Sequence, residues 1–343
     1  MKNYIDQGRT RHASLSTAVA AALFVGGLVS PQRSFACDLC AIYTSVAMHE
    51  SKPGPWLALS EQFTSFKTLS LDGDQIDNEE GEVMRSSITQ VLVGYNLSHD
   101  FGLQASIPYV ARRFRRLEQG VLESGRERGL GDVSLLANWL AFEKITDDGI
   151  ARLSFSGGVK LPTGDSDRLG EEATHESVAL GVNTAVENAH ADGEESGVHG
   201  HDLALGSGSV DAVLGTQLFA SLGKGFATAE LHYTIRTEGD FDYEYADDLG
   251  FRVGAGAFLV SRHPDVFAAE LVLSGETKGK DKQHGGRVDD TALTALYLGP
   301  RVLYSRGDDV VADLALELPA IQNNTGLQIV ADYRLRAAIS WHF

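Results

Sequence analysis

The chain has 343 residues, of which 47 are acidic and 29 are Lys or Arg, so its formal net charge at pH 7 is −18. This acidity argues against nucleic acid as a partner, because binding to phosphates needs clustered Lys and Arg side chains. The same charge is typical of an exposed surface that keeps proteins apart in solution, or of an acidic mouth that attracts cations.

The N-terminus has the three parts of a secretory signal peptide. A basic region ending at Arg11 is followed by an apolar run over 13–29, and the small residues Ser34 and Ala36 suit a cleavage site. We therefore predict that residues 1–36 are a signal peptide. No later stretch approaches the ~20 apolar residues of a spanning helix. An exported protein without a helical membrane anchor is expected.

Residues 37–55 are predicted to be a short periplasmic segment, or a plug inside the domain that follows. They contain Cys37 and Cys40 in a CDLC motif. In an exported protein the simplest interpretation is a small disulfide loop between the two cysteines. Metal binding is the alternative, although a second cysteine pair for zinc is lacking. Lipidation of Cys37 is a third interpretation, although Ser34 stands where lipoprotein signals usually carry leucine.

Residues 56–343 have the pattern of β-strands separated by turns and loops. The connectors between them alternate between short turns rich in Gly, Asp, Asn and Lys and longer loops. Short periplasmic turns and long extracellular loops are the topology of outer-membrane barrels. We therefore predict an all-β fold, a transmembrane antiparallel β-barrel of about 12 strands in the cell outer membrane. The strands are predicted at about 56–70, 83–97, 101–117, 130–143, 150–162, 206–222, 226–238, 247–260, 266–278, 291–305, 310–319 and 325–343.

The longer connectors are expected on the extracellular side. They are predicted at 71–82, 118–129, 163–205, 239–246 and 279–290. The final connector, 320–324, is short and departs from the alternation. An even number of strands returns the C-terminus to the side of the N-terminus, as in bacterial outer-membrane barrels.

The last strand carries the clearest alternation, because every second residue from Leu327 to Phe343 is apolar. Successive side chains of a strand point to opposite faces, so this row is predicted to face lipid. The aromatic end resembles the C-terminal strand of bacterial outer-membrane proteins, which the barrel assembly machinery recognises. Lipid and that machinery are the expected partners. The predicted assembly signal consists of Tyr333, Ile339, Trp341 and Phe343.

The opposite face of the strands carries charges of both signs. Such charges stabilise a polar interior by pairing across strands, and a subset at a constriction would set the preference for a solute. Twelve strands lie between filled eight-stranded barrels and open sixteen-stranded porins, so a narrow pore for a small-molecule solute is expected. The residues predicted to line the lumen include Arg112, Arg152, Lys160, Glu230, His232, Arg236, Glu270, Asp313, Glu317, Asp332, Arg334 and Arg336.

The long loop over 164–205 is acidic and carries four histidines. Imidazoles beside carboxylates suit copper, nickel or zinc, so a divalent metal is the one cofactor that the sequence suggests. The candidate ligands are His175, His190, His199 and His201. The loop is also rich in Gly, Ala and Glu with few large apolar residues. This composition favours a solvated, mobile surface loop over a metal site.

Catalysis is not expected. Glu230, His232 and Thr234 alternate on one predicted strand, but no nucleophile lies in a recognisable motif. The Gly-Ser-Gly-Ser run at 206–209 has the composition of a turn rather than of a nucleophile elbow.

Three segments resemble a known family. They are GLGDVSLLANWL at 129–140, VKLPTGDSD at 159–167 and LGSGSVDAVLGTQL at 205–218. Their spacing is similar to that of the outer-membrane barrel transporters associated with meta-pathway phenol degradation. The resemblance implies a channel-like barrel for small solutes, such as aromatic or hydrophobic compounds, and supplies no catalytic residues. The alternative is a metal-binding or redox-linked surface protein that uses the histidine-bearing loop or the CDLC motif.

Overall fold

A computed structural model describes residues 52–118, 120–172, 196–307 and 309–343 of the chain. The predicted signal peptide, Cys37 and Cys40 of the CDLC motif, and two candidate metal ligands, His175 and His190, lie outside these residues.

Seventeen strands are formed within the described residues. Period-2 alternation of apolar and polar residues explains most of them, because each strand must present one face to lipid and one to the barrel interior. The first nine are β1 (Gly54–Leu71), β2 (Asp74–Ile76), β3 (Val83–Asn96), β4 (Phe101–Glu118), β5 (Val121–Leu130), β6 (Val133–Thr146), β7 (Gly149–Leu161), β8 (Asp211–Leu222) and β9 (Gly225–Ile235). The remaining eight are β10 (Tyr243–Glu244), β11 (Asp248–Arg262), β12 (Asp265–Lys278), β13 (Lys282–Gln283), β14 (Gly286–Arg287), β15 (Leu293–Arg306), β16 (Val310–Asn324) and β17 (Leu327–His342). One short helix, α1 (Gly200–Leu203), precedes β8.

Twelve strands close into an antiparallel barrel, which confirms the predicted fold. Chain neighbours pair in the order β1, β3, β4, β6, β7, β8, β9, β11, β12, β15, β16, β17. The barrel closes where β1 pairs with β17, from Trp56 opposite His342 to Leu71 opposite Leu327. The small strands β10, β13 and β14 form a separate sheet.

Two predicted connectors consist mostly of barrel-paired strand in the structure, and three others contain short strands. Residues 121–130 form β5, which pairs with β4 as a hairpin, whereas 118–129 is predicted to be a loop. The sequence of β5 is charged and has no apolar row, so it lacks the signal of a lipid-facing strand. Strand β16 extends to Asn324, so the last turn is shorter than the predicted 320–324. The strand predicted at 206–222 begins later than expected, because β8 starts at Asp211 and residues 206–210 precede it.

The outward positions of the barrel strands are apolar and exposed, as a lipid-facing surface requires. Strand β4 shows the pattern, with Leu103, Ile107 and Tyr109 each between 37% and 48% exposed. Within the described residues no helix is long and apolar enough to cross a membrane.

The alternation of β17 changes face near its extracellular end. The pairing of β1 with β17 shifts register on both sides of Phe66. An extra residue at such a bulge reverses which side chains point inward. Ile329 and Ala331 are therefore buried in an apolar cluster with Phe66, and Leu327 packs against that cluster. The prediction that these three residues of β17 face lipid is wrong, whereas Tyr333 and Leu335 are exposed on the outside.

Candidate functional site

The polar residues predicted from the sequence to line the lumen lie on the less exposed face of the strands. Their use by a solute remains a prediction. Nine of them are buried, namely Arg112, Lys160, Glu230, His232, Arg236, Glu270, Glu317, Arg334 and Arg336. The other three, Arg152, Asp313 and Asp332, are half-buried. Asp332 lies at the bulge of β17, where it accepts a hydrogen bond of 2.8 Å from the Thr68 hydroxyl.

Strands β9, β11, β12, β15, β16 and β17 carry a network of ion pairs on their inner face, here called the charged wall. Arg252 lies between Glu230 and Glu317, with nitrogen–oxygen distances of 3.3 and 3.2 Å. Arg336 approaches the same Glu317 carboxylate at 3.6 Å. Buried charges of opposite sign must be paired in this way, because an isolated buried charge is costly.

The rest of the charged wall repeats the arrangement. Arg301 lies 3.4 Å from Glu270 and 2.9 Å from Asp313. Arg334 pairs with Glu276, and its guanidinium lies 4.2 Å from the centre of the Tyr297 ring. The charges of this wall are therefore held in place by their partners rather than left free in the pore.

The adjoining strands β1, β3 and β4 carry uncharged polar side chains on the inner face, here called the hydroxyl wall. Ser60, Thr64, Ser86, Gln90 and Ser106 are all buried. Within the described part of the chain, their side-chain oxygens form no hydrogen bond. Buried polar atoms ordinarily have partners. These oxygens have almost no exposed surface, so they make the inner side of these strands polar but uncharged.

The periplasmic end of the lumen contains a cavity of about 420 Å³. Three phenylalanine rings line it, Phe219, Phe226 and Phe258, together with Leu303. The ring centres of Phe226 and Phe258 are 5.0 Å apart. Gly256 on β11 leaves room for the Phe226 ring, since an added Cβ would lie 2.4 Å from the ring. The lower lumen thus has an aromatic wall around open space.

The three segments that resemble a transporter family meet at the extracellular rim, in a cluster here called the clasp. Asp132 is at its centre. Its carboxylate accepts hydrogen bonds from the backbone amides of Gly164 at 3.0 Å and Ser207 at 2.9 Å. The Lys160 ammonium lies 2.8 Å from the Asp132 carboxylate and 2.7 Å from Asp211. One buried lysine therefore links residues from all three segments.

Glycines let the backbones of two of these segments touch. A Cβ on Gly206 would lie 2.6 Å from the carbonyl carbon of Gly164. The amides of Leu205 and Gly206 both donate to the Asp165 carbonyl, at 2.9 and 2.8 Å. Such close approach is open only to residues without a side chain. The clasp thus fixes the chain just before it enters β8.

Residues 196–210, here called the mouth segment, fold into the extracellular half of the barrel. Val198 is 1% exposed and Leu203 is fully buried. Both pack in one apolar cluster with inner residues of five barrel strands, namely Phe66, Leu69, Met84, Phe114, Ala295, Tyr297, Ile329 and Ala331. Leu205 packs against Ile88 and Val110. The prediction of a solvated loop is wrong for these residues, because three apolar side chains there pack on the inner face of the barrel.

Polar contacts anchor the mouth segment to two barrel strands, β17 and β4, which are separated by β1 and β3. The Gly197 carbonyl accepts a hydrogen bond of 2.7 Å from the Ile329 amide of β17. The guanidinium of Arg112 on β4 donates to the Ala204 carbonyl at 2.5 Å. The segment therefore lies against the inner face of these strands and narrows the extracellular end of the lumen.

Two of the predicted histidine ligands lie together in the mouth segment. His199 and His201 stack with ring centres 5.3 Å apart. Burial alone would lower the pKa of His199, but the hydrogen bond to Asp290 and the charges of Asp290 and Asp202 raise it well above its ordinary value. Burial alone would raise the pKa of Glu172, but the His201 and His199 charges lower it to about 2. The cluster is thus a buried set of opposed charges.

The remaining candidates from the sequence are not brought together as a site. Glu230, His232 and Thr234 lie along the inner face of β9, and Gly250 makes room for the His232 imidazole. Tyr333 and Phe343 of the predicted assembly signal are exposed, while Ile339 and Trp341 are half-buried. Sequence reasoning missed the clasp. The only feature of the sequence that pointed to the clasp was the resemblance of three segments containing Gly and Asp to one family.

No protein-family model matches the chain, and no curated protein matches it. Among solved structures, the COG4313 outer membrane channel from Pseudomonas putida F1 superposes with a TM-score of 0.56 at 13% identity, over 92% of this chain and 100% of that one. At this identity the likeness shows a shared fold.

Other solved barrels superpose less well. The β domain of the Bordetella autotransporter BrkA has a TM-score of 0.40 at 10% identity, over 85% of this chain and 99% of that one. The CymD monoaromatic hydrocarbon channel has a TM-score of 0.34 at 9% identity, over 85% and 89%. No argument rests on scores this low. The closed barrel, its apolar exterior and the fold shared with an outer membrane channel define an outer-membrane β-barrel protein.

Proposed function

We propose that this protein is an outer-membrane channel for small solutes with an aromatic or hydrophobic part. The observation that carries the proposal is the division of the lumen. The periplasmic half holds a cavity of about 420 Å³ lined by phenylalanine rings. In the extracellular half the mouth segment packs with apolar side chains of the barrel wall. A barrel with only a structural role has no need for an inserted segment above an open cavity.

The walls between these ends suit a solute of mixed character. The charged wall presents paired side chains, which stabilise the polar interior without offering a free charge. The hydroxyl wall is polar and uncharged, which suits the polar group of a solute. The aromatic cavity then accepts an apolar ring, because rings pack favourably edge to face or offset. The fold shared with a protein described as an outer membrane channel is consistent with this function.

Solute passage into liposomes tests the proposal. Purified protein should admit free phenylalanine, a zwitterion that crosses a protein-free bilayer slowly, faster than a sugar of similar mass. Replacing Phe226 and Phe258 with Ala should abolish that preference while leaving the heat-modifiable gel migration of a folded barrel unchanged. Replacing the outward Leu271 with Ala serves as a control, since its side chain is 57% exposed on the lipid side. Equal rates for both solutes through the wild-type protein would refute the aromatic preference, and no passage of either would refute the channel.

A further inference from the structure

The stacked histidines of the mouth segment are arranged around a third residue, Asp202. One ligand atom from each of His199, His201 and Asp202 lies within 4.8 Å of the others. His199 Nδ1 is 3.7 Å from one oxygen of Asp202, and His201 Nε2 is 3.6 Å from the other. Within the described residues, His199 Nδ1 forms no hydrogen bond. The three donor groups therefore face one another without bonding directly.

These separations fit an ion better than they fit a hydrogen bond. Hydrogen bonds between nitrogen and oxygen span about 2.7–3.2 Å, so contacts of 3.6 and 3.7 Å are too long. Zinc binds nitrogen and oxygen at about 2.0–2.2 Å in tetrahedral geometry, which places neighbouring ligand atoms about 3.4 Å apart. The two nitrogen–carboxylate separations exceed this value by only a few tenths of an ångström, and all three ligand atoms lie within 4.8 Å of one another.

The far nitrogen of each imidazole is held by a different carboxylate. His199 Nε2 lies 3.1 Å from Asp290, and His201 Nδ1 lies 3.0 Å from Glu172. Metal-binding histidines usually donate their second N–H to a carboxylate or a carbonyl, which fixes the tautomer and makes the other nitrogen a better ligand. Here both histidines have that partner, and both present the opposite nitrogen to Asp202.

We propose that His199, His201 and Asp202 bind one divalent cation of the zinc class, and that Asp290 and Glu172 orient the two imidazoles. Two imidazoles and one carboxylate form a donor set that suits zinc, copper or nickel. Three protein ligands leave a fourth position for water. The cation would tie the mouth segment to the loop that carries Asp290. The site does not depend on the proposed transport function.

Calorimetric titration with Zn²⁺ alone tests the site. The refolded, untagged barrel should carry Cys37→Ser and Cys40→Ser, so that thiolates do not bind zinc. One Zn²⁺ ion should bind to each protein molecule. Binding should be lost in the separate variants His201→Ala and Asp202→Asn, and Asp290→Asn should weaken the affinity about 10–100-fold, as expected for loss of an orienting carboxylate. Tetrahedral Co²⁺ at the site should give intense visible absorption, which a weak surface contact would not.

Two controls keep the test decisive. His284→Asn removes an exposed histidine that is also paired with a carboxylate, Asp242 at 3.1 Å, and should not change zinc binding. Replacing His175 and His190 with Asn should likewise leave it unchanged. Heat-modifiable migration of every variant reports whether the barrel is folded. Absence of zinc binding in the parent protein would overturn the proposal, as would equal affinity in a folded His201→Ala barrel.

Discussion

The two halves of the lumen are built differently. The extracellular half is filled by a chain segment that comes from one loop and packs on five strands. The periplasmic half is lined by side chains of the barrel itself, around open space. A segment held by a few contacts has its own stability, separate from that of the barrel, because proteins open in local units. Under the proposed function, closure of the pore would depend on the loop and preference among solutes on the wall.

The largest effect is expected from the clasp. Lys160→Met leaves the buried carboxylates of Asp132 and Asp211 without their shared cation. Removing one partner of a buried ion pair costs about 3–5 kcal/mol. The mouth segment should be released while the barrel stays closed. Limited proteolysis within the loop should then be faster by at least about 10²-fold.

Lys280→Met is the matched control for the clasp variant. Lys280 also pairs with an aspartate, Asp289, but that carboxylate is exposed. Exposed ion pairs contribute little, so the proteolysis rate should stay at the wild-type value. Equal proteolysis rates in Lys160→Met and Lys280→Met would show that the mouth segment does not open separately from the barrel.

The second prediction concerns the lipid-facing side of the barrel wall. Leu335→Arg should cost the folded barrel about 2–4 kcal/mol, because Leu335 is exposed near the middle of β17. Phe343→Asp, at the periplasmic end, should cost only about 0–1 kcal/mol. A large fall in outer-membrane yield for Phe343→Asp would therefore report failed assembly. Refolding into detergent separates the two effects, and poor refolding of Phe343→Asp would contradict this assignment.

A smaller effect is expected inside the charged wall. Gly254 on β11 makes room for Glu270, since an added Cβ would lie 2.0 Å from its carboxylate oxygen. Glu270 is held by Thr228 and Arg301, so Gly254→Ala forces it to move. Overpacking of this kind costs about 1–3 kcal/mol. Urea unfolding from detergent should show the loss.

Gly225→Ala provides the comparison for that variant. The nearest atom to an added Cβ at Gly225 is a carbonyl oxygen 3.7 Å away, which is an ordinary contact. This change should be close to neutral. If Gly254→Ala is equally neutral, the charged wall is more adaptable than its ion pairs indicate.

The smallest change in stability is expected in the hydroxyl wall. Ser106→Val replaces a buried oxygen that has no hydrogen bond within the described residues. Losing an unsatisfied polar atom should alter the free energy of unfolding by less than about 1 kcal/mol. Urea unfolding from detergent should show this small change. A loss above 2 kcal/mol would mean, on the scale for broken buried hydrogen bonds, that this hydroxyl has a structural partner after all.

The barrel could be predicted from the sequence because its signal is local. Alternation over a few residues specifies a strand, and the lengths of connectors specify the topology. The hairpin strand β5 was not predicted, because its residues are rich in Arg and Glu and have no apolar row. The inward orientation of Ile329 and Ala331 could not be predicted, because the bulge that causes it depends on the pairing of β17 with β1.

The candidate site was less predictable than the barrel. Lumen-facing charges follow from alternation, but their partners lie on other strands. The clasp joins Asp132 to Ser207, which is 75 residues further along the chain. The insertion of Val198 and Leu203 was hidden by the acidic composition of the loop around them, since composition averages over residues that behave differently. These contacts are tertiary and have no local pattern.

Single-channel conductance in planar bilayers tests the central claim most directly, namely that the mouth segment closes the lumen. Leu203→Asp places a charge in the apolar cluster where Leu203 is fully buried, so it should expel the segment without altering the wall. The wild-type protein is predicted to show small or rare openings, and the variant to show a conductance several-fold larger. Equal conductance of the two proteins, both folded by heat-modifiable migration, would contradict the account.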